Sequence, residues 1–158
     1  MAPPEEMLGE LLRKKKLTLS AADSCTGGRV GDKITNISGS SDYFLGSAVT
    51  YSNEAKIALL KVSEKSLGSY GAVSEQVAKE MAVGCRELFG SDIAVSTTGI
   101  AGPTGGSKEK PVGLVWFGVS DWRRTMVEKR IFSGDRESVK ETASVHAIES
   151  ILLFLKGA

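Results

Sequence analysis

The sequence predicts an α/β fold, with a mixed sheet covered by helices on both sides. Three observations carry this. Strand-like and helix-like segments alternate through the first two-thirds of the chain. Val112–Ser120 is nearly all apolar, as a central strand buried on both faces must be. Thr125–Phe132 follows it across a tight turn at Asp121–Arg124, which adds an antiparallel pair. With 158 residues, 41% of them apolar, the chain can form one compact domain spanning 1–158 and is too short for two of ordinary size.

Glu5–Lys16 predicts a helix. Pro3 and Pro4 precede it, acids fill its first turn, and Met7, Leu8, Leu11 and Leu12 make an apolar face. Leu17–Ala22 is a short strand, Gly27–Asn36 a helix, and Ile37–Ser41 a loop by composition. Phe44–Tyr51 is a second strand. Asn53 is expected to cap a short helix through Lys61, and Ser63-Glu64 opens another that stops near Gly68–Gly71. Ser74 is expected to cap a longer helix to about Phe89, with Val77, Met81, Cys85 and Leu88 as its buried stripe. Ile93–Thr98 is a strand, and Thr98–Gly106 is too rich in glycine to be anything but a loop. Asp135 caps the last helix, whose core face is Val145, Ile148, Leu152 and Leu155.

The charge balance excludes some functions. Lys+Arg is 20 against Asp+Glu 19, so no excess points to nucleic acid or an anionic membrane. The one dense basic run, Arg13-Lys14-Lys15-Lys16, suits a helix C-terminus, where cations complement the dipole. Cys25 and Cys85 form no CxxC pair and have no metal-ligand spacing, which points to a reducing cytoplasm. The N-terminal residues lack the cationic lead and apolar core of a signal peptide, and no stretch is long and apolar enough to span a bilayer.

In sheets of this kind, sites form in the loops beyond the carboxyl ends of the strands. Ser24–Gly28, Ser52–Lys56 and Thr98–Gly106 are the candidates. The first packs two hydroxyls, a thiol and two glycines into a strand–helix turn, where nucleophiles and free N–H groups converge on one spot. Ser24 is the first choice of nucleophile, with the N–H groups of Cys25, Thr26, Gly27 and Gly28 available to an oxyanion. Ser41 is its rival, as nucleophile or relay. Cys25 ranks third, as a thiol whose pKa a helix start can lower. A Ser-His-Asp arrangement lacks its histidine, since His146, the single one, lies within the last helix beside the apolar face. No set of His, Cys and acids has zinc-ligand spacing. Lys56, in the first turn of its helix, is either a surface lysine or a general base made neutral by burial and the dipole. Tyr51 is a candidate proton relay. Thr98, Gly99, Gly102, Gly105 and Arg136 are assigned to substrate binding, Arg136 through a bidentate contact with phosphate.

Ala22-Asp23-Ser24-Cys25-Thr26-Gly27-Gly28, Gly39-Ser40-Ser41, Val49–Lys56, Gly71-Ala72-Val73-Ser74, Thr98–Pro103 and Glu109–Gly113 stand in one order that resembles the C-terminal domain of CinA, the competence/damage-inducible protein. The resemblance runs from about Leu8 to Leu155. The family usually carries Glu where this chain has Asp23. Stand-alone members, known as PncC, are nicotinamide mononucleotide (NMN) deamidases. The resemblance implies a three-layer α/β/α sandwich with a mixed, mostly parallel central sheet, a functional lysine at Lys56, and a homo-oligomer. It also implies hydrolysis of NMN to nicotinic acid mononucleotide and ammonia, with no metal or cofactor. The alternative is a non-catalytic nucleotide-binding or oligomerisation module of the same family.

Overall fold

The computed structural model describes residues 2–157; Met1 and Ala158, the ends of the expected domain, lie outside them. The chain runs α1 (Pro4–Lys15), β1 (Leu19–Asp23), α2 (Arg29–Thr35), a 3₁₀ turn (Ser40–Asp42), β2 (Phe44–Val49), α3 (Asn53–Leu60), α4 (Glu64–Tyr70), α5 (Glu75–Phe89), β3 (Ile93–Gly99), β4 (Leu114–Ser120), β5 (Thr125–Ile131) and α6 (Arg136–Lys156). The sheet order is β2-β1-β3-β4-β5. β1 pairs in parallel with β2 and β3, whereas β4 is antiparallel to both β3 and β5, so β4 alone runs against the rest. The result is the three-layer α/β/α sandwich with a mixed, mostly parallel sheet.

Each helical layer has its own apolar core. On one face, Leu8 and Leu12 of α1, Val30 and Ile34 of α2, and Ile148, Ile151 and Phe154 of α6 pack on Leu19, Ala21, Val95 and Phe117 of the sheet. On the other, Val77, Met81 and Cys85 of α5 and Leu60 at the end of α3 pack on Ala22, Ala48 and Ala94. β1 is buried throughout, because helices cover it on both faces. The helix stripes differ from expectation at their margins. Leu88 is 47% exposed and Met7 40%, since each lies at the solvent edge of its helix. α6 buries Ile148, Leu152 and Leu155 as expected, adds Val139, Ala143, Ala147 and Ile151 to that face, and leaves Val145 only partly covered.

The caps show how the sequence sets these boundaries. Ser74 accepts from the N–H of Val77 and Asp135 from that of Ser138, as expected. At α3 the cap is Ser52, which accepts from the N–H of Ala55, and not Asn53. β4 begins at Leu114 rather than Val112, because Gly113 turns the chain at φ +94° beside the carbonyl of Phe132. Among the described residues, no helix is long and apolar enough to cross a membrane.

Candidate active site

Sheet register assembles the site. Asp23 of β1 stands opposite Val49 of β2 and Thr97 of β3. The next residue on each strand, Ser24, Thr50 and Thr98, therefore meets the others at the carboxyl edge. The loops that follow enclose a cleft of about 310 Å³. Ser24 and Cys25 come from the first loop, Tyr51, Asn53 and Lys56 from the second, and Thr98–Gly102, Thr104 and Gly105 from the third. Arg136 closes one side.

Lys56 lies at the centre. It is 1% exposed, and its Nζ stands 2.9 Å from Ser24 Oγ, 2.8 Å from the carbonyl of Thr50 and 3.4 Å from that of Tyr51. No carboxylate pairs with it among the described residues. Burial therefore pulls its pKa below the ordinary 10.5, because an ammonium loses hydration that carbonyl dipoles replace only in part.

Ser24 is 6% exposed. Its N–H donates to Thr97 Oγ1 at 3.3 Å, and its carbonyl accepts from the N–H of Gly27. Gly27 and Gly28 both have positive φ, so the chain curls tightly before α2 begins at Arg29. Thr26, Gly27 and Gly28 do not line the cleft. Thr26 is wholly buried and donates to Asp23 Oδ1. The oxyanion donors expected from this turn thus narrow to its start, where no acceptor among the described residues meets the N–H of Cys25.

Cys25 lines the cleft, but burial, reinforced by nearby Asp23, pushes its thiol up to about 12. That reverses the lowered pKa expected of it, because Cys25 precedes α2 by four residues and sits in the apolar core. Ser41 is also misplaced by the sequence reading. It is exposed, in the 3₁₀ turn that enters β2 at the amino edge of the sheet, where Phe44 pairs with Leu19. The length of β2 separates it from Lys56. Tyr51 is in the cleft, and its hydroxyl accepts from Arg136 Nη2 at 2.9 Å. Arg136 Nη1 donates to the carbonyl of Gly102 at 2.7 Å, which ties the glycine loop to α6. Thr98 donates to the carbonyl of Ala72 at 2.7 Å, fixing the loop before α5 against the cleft.

Sequence reasoning did not assign Asn53, Ala72 or Val73 to the site. The signal for Asn53 was its neighbour: once Ser52 takes the cap, the Asn53 amide is left to the cleft. His146 lies elsewhere, 2.8 Å from Glu128 and with its ring 4.6 Å from that of Phe117, a packed structural histidine.

Comparison with known proteins agrees with this architecture. Residues 1–155 match the family model described as the CinA C-terminal domain. A CinA-like protein of Sulfurihydrogenibium sp. is 50% identical over 151 residues, covering 96% of this chain and 38% of the relative. A CinA-like protein of Chloroherpeton thalassium is 51% identical over 160 aligned residues, covering 99% and 38%. The chain thus spans less than two-fifths of the length of these curated relatives. Among solved structures, a CinA superfamily protein from Escherichia coli superposes with a TM-score of 0.91 at 34% identity, covering 94% of this chain and 87% of that one. A competence/damage inducible protein from Agrobacterium tumefaciens gives 0.88 at 34% identity, covering 97% and 96%. The chain belongs to the CinA C-terminal domain family.

Proposed function

We propose that the chain is an amidohydrolase that converts NMN to nicotinic acid mononucleotide and ammonia, with Ser24 as nucleophile and Lys56 as general base. One observation carries the reading: the three partners of Lys56 Nζ are two carbonyls and one hydroxyl. A neutral amine has two N–H groups and one lone pair. The carbonyls can only accept, so they take the N–H groups, and the lone pair is left for the Ser24 O–H. Burial, which lowers the lysine pKa, favours that neutral form.

The chemistry follows. Ser24 Oγ attacks the carboxamide carbon as its proton passes to Lys56 Nζ. The oxyanion that forms is met by the N–H of Cys25. Lys56 then returns the proton to the departing nitrogen, and ammonia leaves an acyl ester on Ser24. Water attacks the ester, its proton passes to Lys56, and the acid departs as that proton restores the Ser24 hydroxyl. Arg136, held between Tyr51 and Gly102 at the cleft wall, supplies a cation for the nucleotide phosphate. Tyr51 thereby becomes an anchor for Arg136 rather than a relay to Ser24.

Ammonia release from NMN by the purified chain tests the reading, beside Ser24→Ala and Lys56→Ala. Both variants should lose activity by about 10²-fold or more, the usual scale for a nucleophile or its base. Full activity in both removes the pair. Thermal stabilisation by NMN without product favours the non-catalytic nucleotide-binding alternative. The homo-oligomer implied by the family resemblance is a further proposal, open to sedimentation analysis.

A further inference from the structure

Beneath Ser24 runs a buried chain of hydrogen bonds that ends on a carboxyl group. The N–H of Ser24 donates to Thr97 Oγ1 at 3.3 Å, and Thr97 Oγ1 lies 2.8 Å from Thr26 Oγ1. Thr26 in turn donates to Asp23 Oδ1, which also accepts from the N–H of Val30 at 3.1 Å. Asp23, Thr26 and Thr97 are each fully buried, and none of them lines the cleft.

The two ends fix the direction of this chain. Backbone N–H groups can only donate, so Thr97 accepts from Ser24 and its own proton is free to pass to Thr26. Thr26 then directs its proton to Asp23, and the carboxyl oxygen terminates the run as an acceptor. We infer that Asp23 is the positioning residue of the nucleophile, acting through Thr26 and Thr97 to hold the Ser24 backbone where its hydroxyl meets Lys56. The inference rests on the Ser24–Lys56 hydrolase reading.

The function of Asp23 here is to accept hydrogen bonds, and a negative charge is not required for that. Burial raises its carboxyl pKa, and Oδ2 has no partner among the described residues. A neutral isostere with an oxygen at Oδ1 does the same work. The same carboxyl also accepts from the N–H of Val30, which ties the start of α2 to the end of β1.

The experiment compares Thr97→Val, Asp23→Ala and Asp23→Asn with the intact chain. Steady-state hydrolysis of NMN is one readout. The rate at which a fluorophosphonate ester labels Ser24, followed by mass spectrometry, is the other and needs no amide substrate. Thr97→Val and Asp23→Ala should lower kcat and the labelling rate by about 10²-fold at unchanged KM, the scale of an ångström of misplacement at a reacting group. Asp23→Asn should restore most of both. Thr97→Val keeps shape and removes only the hydroxyl, so it decides the matter if Asp23→Ala does not fold. Unchanged kcat and labelling in Thr97→Val overturn the inference, and so does an Asp23→Asn as damaged as a folded Asp23→Ala. An intact chain that labels at Ser24 but leaves NMN untouched overturns only the substrate, and the variants are then judged by labelling. Failure of the intact chain in both readouts overturns both readings.

Discussion

Gly84→Ala should damage both stability and activity, although residue 84 is far from the cleft in sequence. Gly84 is buried on α5 where α3 ends against it, and an added Cβ would stand 1.8 Å from the carbonyl oxygen of Leu60 and 2.7 Å from its carbon. Backbone cannot swing aside as a flexible side chain can, so the two helices must part by roughly 1.2 Å to reach even 3.0 Å, since packed interiors hold no slack. Leu60 and Lys56 are one helical turn apart on α3 and both are buried. The displacement therefore travels to Nζ and stretches the 2.9 Å contact with Ser24 beyond hydrogen-bond range. Overpacking of this kind costs about 1–3 kcal/mol. In a domain of this size that lowers Tm by about 2–4 °C per kcal/mol. The lost alignment should cost about 10²-fold in kcat. Urea denaturation and ammonia release measure the two effects. Gly68→Ala is the control, because no atom of the described residues stands within 4 Å of a Cβ there. A Gly84→Ala protein with wild-type midpoint and kcat would refute the claim that α3 is seated on α5 through this glycine.

The other predictions concern the cleft. The activity should rise with pH through the lowered pKa of Lys56, because the protonated amine cannot take the serine proton. Stability should rise in the same direction between that value and 10.5, since the unfolded chain there binds a proton that the native chain does not. Lys56→Met should flatten the stability limb in urea titrations, and a limb that persists in this variant would assign the effect to another group. Ser41→Ala should leave turnover unchanged, and a large loss would restore Ser41 as a participant. Arg136→Ala should raise KM for NMN by about 10- to 100-fold, the worth of a charge-assisted hydrogen bond, while leaving nicotinamide riboside unaffected. An equal effect on both substrates would place Arg136 away from the phosphate.

Much of this architecture was readable in the chain because local chemistry and tertiary packing agree. Ser74 and Asp135 precede helices with nothing to compete for the cap. Ser52 and Asn53 sit side by side, both able to cap, and the choice depends on where β2 releases the backbone. The apolar run in β4 announced a central strand because helices cover both of its faces. Chain order also held more than residue type did at Ser41: a loop from helix to strand must lie at the amino edge, opposite the strand-to-helix loops that bear Ser24 and Lys56. The state of Cys25 was not legible, since it shares its core cluster with β3 and α6 residues that lie far along the chain, from Ile93 to Leu155. Nor was the seat of Lys56, whose depth depends on how closely α3 approaches α5.

Lys56 reaches back to the carbonyls of Thr50 and Tyr51, on the very connector that leads into its own helix. The amine and the two carbonyls that orient it are thus encoded in a single contiguous stretch. That stretch sets where the amine points, while its proton affinity stays tied to the distant helix that buries it, so drift on α5 can retune the base without touching the connector.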